Sequence, residues 1–95
     1  MTTQELRELD AWIAEHVFGV SVPHPFFKPT EDPRGAMDVL KKCAEKHQHD
    51  IAIGTAGPTD WRVWAGELNG ATYASSLELA ICLFAKQLFS KPTTK

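Results

Sequence analysis

Apolar residues recur at the three- and four-residue spacing of an amphipathic helix in three stretches of the chain. The first stretch predicts a helix from about Thr3 to Phe18, opened by a capping box between Thr2 and Glu5. Gly19 follows it, and glycine ends helices because it readily adopts the left-handed conformation. The apolar face of this helix consists of Leu6, Leu9, Ile13 and Val17.

The other two helical stretches begin with recognisable caps. Asp32 and Pro33 form the start of a helix that should end near residues 47–48. Ser75 predicts a second capping box with Glu78, which opens the third helix. The buried face predicted for this last helix consists of Leu77, Ile81, Phe84 and Leu88, flanked by Ala80, Cys82 and Ala85.

Between the second and third helices the pattern changes to the alternation of β-strands. The runs Ile51–Gly54 and Trp61–Ala65 predict a hairpin across a turn-rich connection. The sequence leaves undecided whether Ala71–Tyr73 adds a third short strand. The order α-α-β-β-α predicts an α+β fold, a small helix/antiparallel-sheet/helix (ABA) sandwich. We expect residues 1–95 to form a single domain with a frayed tail at about 91–95.

The stretch between the first two helices is rich in proline. Four of the six prolines lie between Val20 and Pro33, so a long helix or a central strand is not expected there. Phe26 and Phe27 lie among these prolines. They form either a short edge strand or a plug for the core.

The composition, 43% hydrophobic and 23% charged, is that of an ordinary globular protein. A net charge of −2 provides no basic field, so a nucleic-acid partner is not expected. No run reaches the ~20 apolar residues that cross a bilayer, and no signal peptide is recognisable, so no membrane partner is expected either. Cys43 and Cys82 lie in helical patterns rather than in a disulfide framework, which predicts a cytoplasmic protein with reduced thiols.

Three motifs resemble those of a family of small phage proteins. Leu9–Gly19 is similar to an opening pattern of leucine–x–x–tryptophan, valine or isoleucine, alanine and glutamate, followed by methionine–glycine–tryptophan. Phe18 stands for that methionine, and Val20 for the second tryptophan. Thr30–Leu40 resembles the second motif, with proline–threonine in place of an aromatic–serine pair, and Leu77–Cys82 resembles the closing leucine–alanine–isoleucine–cysteine motif. The family is the phage ABA sandwich domain.

This resemblance spans roughly Leu6 to Phe89 and rests on the order and spacing of the motifs. The loop Val20–Thr30 is shorter than the corresponding stretch of the family. The resemblance implies helix/sheet/helix layering, a phage or prophage source and residence in the host bacterial cytosol. It carries over no catalytic residue, because the family offers no established active site to map.

The sequence lacks the residue patterns typical of nucleophilic, metal-binding and phosphate-binding sites. Cys43 and Cys82 lie on core faces, where cysteine acts as a small hydrophobe, and no basic neighbour is predicted to activate either thiol. His47 and His49 are too few ligands for a metal, and the loop Gly54–Pro58 lacks the lysine and helix of a phosphate-binding loop. We therefore predict a non-enzymatic protein with no catalytic residue, metal site or cofactor.

Aromatic and basic residues outside the helices are the candidates for binding. If Trp61 and Val63 face the helices, Arg62 and Trp64 lie on the opposite face of their strand. That face is then a contact surface for a partner, a site for nucleotide stacking and phosphate pairing, or the seat of a second helix layer. The predicted ligand-binding residues are His24, Phe26, Lys28, Arg34, Trp61, Arg62, Trp64 and Tyr73.

Two classes of function fit these residues, and a third is weaker. The first is a phage accessory protein for host takeover or anti-defence, which binds a host bacterial protein. The alternative is an oligomeric sponge that sequesters a nucleotide immune signal as a small ligand. The third is a structural phage component. A homo-oligomer is expected in any case, because the core is small and aromatic residues are left outside it.

Overall fold

The computed structural model describes residues 2–21, 24–47, 50–65 and 71–90 of the chain. The α+β class and the order of two helices, an antiparallel sheet and a last helix are confirmed, with a third strand in the sheet. The tail 91–95 and residues 48–49 lie outside the described residues. The elements are α1 (Thr3–His16), α2 (Pro33–His47), β1 (Ile51–Gly57), β2 (Asp60–Ala65), β3 (Thr72–Ala74) and α3 (Leu77–Ser90).

The first helix, α1, begins with the predicted capping box. The Glu5 N–H donates to Thr2 Oγ1 at 3.1 Å, and the Thr2 N–H donates to Glu5 Oε1 at 2.8 Å. The hydrogen bond from the Thr2 backbone favours the carboxylate and lowers the pKa of Glu5. The helix ends at His16 rather than the predicted Phe18, because Val17 is its cap and Gly19 turns the chain at a φ of 72°.

The helix α2 begins at Pro33 and ends at His47, as predicted. The prediction for α3 is wrong by one residue at its cap: the Leu79 N–H donates to Ser76 Oγ at 3.2 Å, so Ser76 takes the role predicted for Ser75. The sequence favours Ser75, because only Ser75 is followed three residues later by a glutamate, yet the helix begins one residue further on and Ser76 is the cap.

The sheet has the strand order β1-β2-β3 and is antiparallel throughout. The register of β1 and β2 is regular from Ile51 to Thr55 and is interrupted by a bulge before Gly57. Thr55 Oγ1 accepts from the Gly57 N–H at 3.1 Å and donates to the Asp60 carbonyl at 3.0 Å. This hydroxyl closes the turn, which explains why β1 extends beyond Gly54, its predicted end.

The last helix, α3, is the centre of the core. It packs against β2 and β3 on one side and against α1 and α2 on others. Because α1 and α2 both contact α3, the three described helices lie on the same side of the sheet. A helix surrounded in this way must be apolar around most of its circumference, and its buried residues are Ala80, Ile81, Cys82, Phe84, Ala85 and Leu88.

The proline-rich segment forms turns between residues 24 and 32. Phe27 packs against the core, with its ring edge-on to Phe18 at a centroid distance of 5.7 Å, whereas Phe26 is 79% exposed. Of the two predicted alternatives, Phe27 therefore plugs the core. A Cβ at Gly35 would lie 3.1 Å from the Pro29 backbone, so this glycine allows α2 to approach the segment closely.

Candidate functional site

The two faces of β2 have different environments. Val63 and Ala65 are buried, and Trp61 packs against the same core. The Trp61 indole N–H also donates to the Pro58 carbonyl at 3.1 Å, which fixes the ring beside the β1–β2 turn. Trp61 therefore lies on the helix side of the sheet, apart from the other predicted binding residues of the strands.

The opposite surface, which we call the outer face, carries Arg62, Trp64 and Tyr73. The small residues Ala52 and Gly54 lie on the same face, on the neighbouring strand β1. The register aligns Gly54, Arg62 and Tyr73 across the three strands and places Ala52 beside Trp64. Since all three described helices lie on the other side, none of them forms the second layer that the sequence left open. The outer face is an aromatic and cationic surface on the side of the sheet away from the helices.

Gly54 determines how Trp64 lies on this face. A Cβ at Gly54 would sit 3.3 Å from two carbons of the Trp64 ring and 3.5 Å from Cγ of Arg62. The absence of a side chain at this position lets the indole lie across β1 at van der Waals distance. Trp64 is half-buried as a result, although none of the described helices covers it.

Arg62 and Tyr73 form a cation–π pair on the same face. The Arg62 guanidinium carbon lies 5.7 Å from the centroid of the Tyr73 ring, and Tyr73 is 58% exposed. Arg62 Nε is buried and has no acceptor in the described part of the chain. A guanidinium beside an aromatic ring is suited to a carboxylate, a phosphate or a backbone carbonyl of a partner, which would bind through its terminal nitrogens and not through the buried Nε.

The remaining predicted residues lie in or next to the proline-rich segment. The Phe26 N–H donates to His24 Nδ1 at 3.1 Å, and the two rings are 5.4 Å apart. His24 lines a half-open cavity of about 340 Å³. Lys28 is exposed. Arg34 was expected outside the helices, and this is wrong, because it is the second residue of α2.

The structure therefore separates the predicted set into distinct locations. Arg62, Trp64 and Tyr73 share the outer face, and Trp61 lies against the core behind it. The other four predicted residues belong to the segment and helix start next to α1. The cavity at His24 is lined by described residues of α1, of the segment after it and of α2: Ala14, Phe18, Val20, His24, Phe27 and Asp38.

A polar cluster at the end of the proline-rich segment was missed by the sequence reasoning. Asp10 lies on α1 with 3% exposure and accepts the Thr30 N–H at 3.1 Å. Arg7 Nη1 is 3.3 Å from its second oxygen, and Arg7 also pairs with Glu31. An arginine three residues before an aspartate at the edge of an apolar helix face is the signal that was available. This cluster ties α1 to the segment and is structural.

A second groove, of about 280 Å³, lies between α1 and α3. The Lys86 ammonium is 5.9 Å from the Trp12 ring, and the His16 ring stacks on Trp12 at 4.3 Å. His16 is exposed and lies in the last turn of α1.

Both cysteines are buried and free. Burial raises the pKa of the Cys43 thiol to about 12. Burial, with a smaller contribution from Asp10, raises the pKa of Cys82 further. Both thiols are therefore protonated at neutral pH, the state in which cysteine is a poor nucleophile.

Among the described residues, no group of three or more histidine, cysteine, aspartate or glutamate side chains is placed to hold a metal ion. The candidate ligand His49 lies outside this part of the chain. Of the helices that the structure describes, none combines the length and the apolar character required to cross a bilayer.

The chain matches no family model, no curated protein and no solved structure. The resemblance to the phage ABA sandwich domain therefore stays a prediction from its motifs. The geometry of the outer face is therefore the feature from which a function can be inferred.

Proposed function

We propose that the protein acts by binding, without catalysis, and that its outer face contacts the partner. The observation that carries this proposal is the presence of Arg62, Trp64 and Tyr73 on a sheet face turned away from all three described helices. Tyrosine, tryptophan and arginine are the residues in which binding energy concentrates at protein interfaces. Packing within the chain does not require an aromatic residue as exposed as Tyr73.

The partner we propose is a bacterial protein, bound in the host cytosol by a phage accessory factor for host takeover or anti-defence. This part rests on the resemblance of three motifs to the phage ABA sandwich domain. The raised pKa values of both cysteine thiols are in keeping with binding rather than nucleophilic chemistry.

Capture from a bacterial lysate on the immobilised protein tests this function. Tyr73→Ala and Arg62→Ala should each weaken binding of the captured protein by about 30-fold, the effect of losing a hot spot worth ~2 kcal/mol. Met37→Ala is the matched control, because Met37 is an exposed apolar residue on α2 with 47% exposure. Binding that survives both outer-face substitutions would contradict the proposal.

A nucleotide is the second candidate ligand, and the pairing of Arg62 with Tyr73 favours it. A base can stack on an aromatic ring while the guanidinium pairs with a phosphate. A panel of cyclic and ADP-ribose-type nucleotides in thermal unfolding separates the two candidates. A ligand at one hundred times its Kd stabilises a fold by about 2.7 kcal/mol. The absence of a shift with every nucleotide would exclude this function and leave the protein partner.

A further inference from the structure

The two edges of the sheet are unequal. The edge formed by β3 has only three residues and packs against α3. The edge formed by β1 has seven residues, and its described strand partner is β2 alone. Every second residue of an edge strand directs its N–H and C=O away from the sheet. The β1 edge is therefore the longer row of backbone donors and acceptors.

The sequence of β1 does not protect this edge. Natural edge strands avoid pairing through charges, proline, bulges or short length. The strand Ile51–Gly57 contains no charged residue and no proline, and its bulge lies only at the far end. Ile53 is 40% exposed, whereas its neighbour Val63 is fully buried, because α3 packs mainly against the other two strands.

The regular part of β1 is symmetric about this exposed residue. Pairing with β2 is regular over five residues, Ile51 to Thr55, and Ile53 is the central one. In an antiparallel pair of two such segments, Ile53 lies opposite the same residue of the second copy. Ile51 then faces Thr55, and Ala52 faces Gly54. Each exposed isoleucine covers the other on the helix side of the joined sheet.

We propose that β1 pairs antiparallel with β1 of a second copy of this chain, on a two-fold axis at Ile53. The pairing joins two three-stranded sheets into one of six strands and uses the backbone groups of both edges. This inference does not depend on the proposed function, because it concerns the edge of the sheet and not its outer face.

The charges next to the strand favour the antiparallel arrangement. Asp50 is exposed and directly precedes β1. With Ile53 on the axis, the two Asp50 residues are six strand positions apart, or about 20 Å. This separation is well beyond the Debye length of about 8 Å at physiological salt, so their repulsion is screened. A parallel pair would place the two carboxylates side by side.

The pairing has a consequence for the outer face. Ala52 and Gly54 of both copies form a strip of small residues along the joint between the two strands. Trp64 and Arg62 of β2 border this strip on each side, and Tyr73 lies beyond Arg62. The two outer faces become a single surface that a partner can contact at two equivalent places.

Sedimentation equilibrium at several hundred micromolar tests the pairing, since the contact is small and therefore weak. The wild type should approach a mass of about 21 kDa, twice the 10.6 kDa of one chain. Ile53→Lys should remain monomeric, because it places two ammonium groups opposite each other. Met37→Lys introduces the same charge at a similarly exposed apolar residue and should still dimerise. Circular dichroism checks that each variant is folded.

Mixing variants tests the two-fold axis itself. Ile53→Glu alone should also be monomeric, and an equal mixture with Ile53→Lys should recover the dimer because the opposite charges then meet across the axis. A monomeric wild type, a dimeric Ile53→Lys, or a mixture that does not associate would each overturn the proposal.

Cross-linking provides a second and independent readout. Opposed residues in antiparallel strands have Cα atoms about 4.5–5.5 Å apart, within the range that a disulfide spans. Ile53→Cys should therefore form a covalent dimer on mild oxidation, seen on a non-reducing gel. Tyr73→Cys, on the other edge strand, should not. Equal cross-linking of both variants would show random collision and count against the proposed register.

Discussion

The two faces of β2 are built from alternate residues of one strand, yet their surroundings differ: one face is buried under helices, and the other is not covered by any described helix. On one face, Val63 and Ala65 are fully enclosed by helices. On the other, Arg62 and Trp64 lie on the sheet with no described helix over them. Burial, and with it stability, is therefore concentrated on the helix side, whereas the outer face carries the surface that we propose for recognition. The comparison predicts that substitutions on the two faces have effects on different measurements.

The largest difference is expected between Phe84→Ala and Tyr73→Ala. Phe84 is 1% exposed in α3, and its truncation should cost about 3–5 kcal/mol through lost burial and the cavity left behind. Tyr73 is 58% exposed, and its truncation should cost no more than about 1 kcal/mol. Urea unfolding measures both. Similar costs for the two variants would mean that the outer face contributes to the core.

Asp10 extends the comparison to a polar group on the helix side. Asp10→Ala should destabilise the fold by about 2 kcal/mol, because it leaves the Thr30 N–H without its charged acceptor in a buried place. Glu31→Gln affects an exposed carboxylate that pairs with the same arginine and should cost less than about 1 kcal/mol. If the two variants melt at the same temperature, the buried hydrogen bond is not the important contact.

The buried thiols predict a loss of stability at high pH. The pKa of Cys43 is raised from 9.0 to about 12 in the fold, so the unfolded chain releases its proton first. Stability from this group is full below pH 9 and falls as the pH rises toward 12, by about 1.4 kcal/mol per pH unit. Urea unfolding of Cys43→Ala at several alkaline pH values should show a shallower decline than the wild type. An unchanged slope would mean that this thiol titrates alike in both states.

The smallest effect is expected at Gly54, beneath Trp64. The methyl group of Gly54→Ala would lie 3.3 Å from the indole, so the ring must move by a few tenths of an ångström. The ring is free to move because no described helix covers it. The free energy of unfolding should therefore change by less than about 1 kcal/mol. The NMR shift of the Trp64 indole N–H should nevertheless change clearly. A large loss of stability would indicate that Trp64 is held more firmly than its surroundings suggest.

Local patterns predict most of the elements of this fold. The capping box at Thr2, the start at Pro33 and the alternation from Trp61 to Ala65 are all signals within a few residues, and each appears in the structure. The alternation also predicts that Arg62 and Trp64 share a face. Ser75 and Ser76 show the limit of such signals, because the capping-box pattern favours Ser75 while the helix is capped by Ser76.

The parts that sequence reasoning did not reach depend on distant contacts. Whether a helix covers the outer face is decided by where α1 and α2 meet α3, and no local pattern contains this information. Asp10 is buried because Thr30 and Arg7 surround it, and Thr30 is twenty residues away. Residue type alone does not distinguish Trp61 from Arg62, Trp64 and Tyr73. The predicted binding residues therefore include Trp61, although the register directs it into the core.

The central position of α3 affects how the chain is made as well as how it is held. The helix that α1, α2 and the sheet all contact is the last described element in chain order. During synthesis, the earlier elements leave the ribosome before their common partner exists, so their apolar faces stay exposed until Leu88 has been added. The elements before α3 should therefore stay incompletely folded until α3 has been synthesised, and this unfinished form is the one most exposed to proteases.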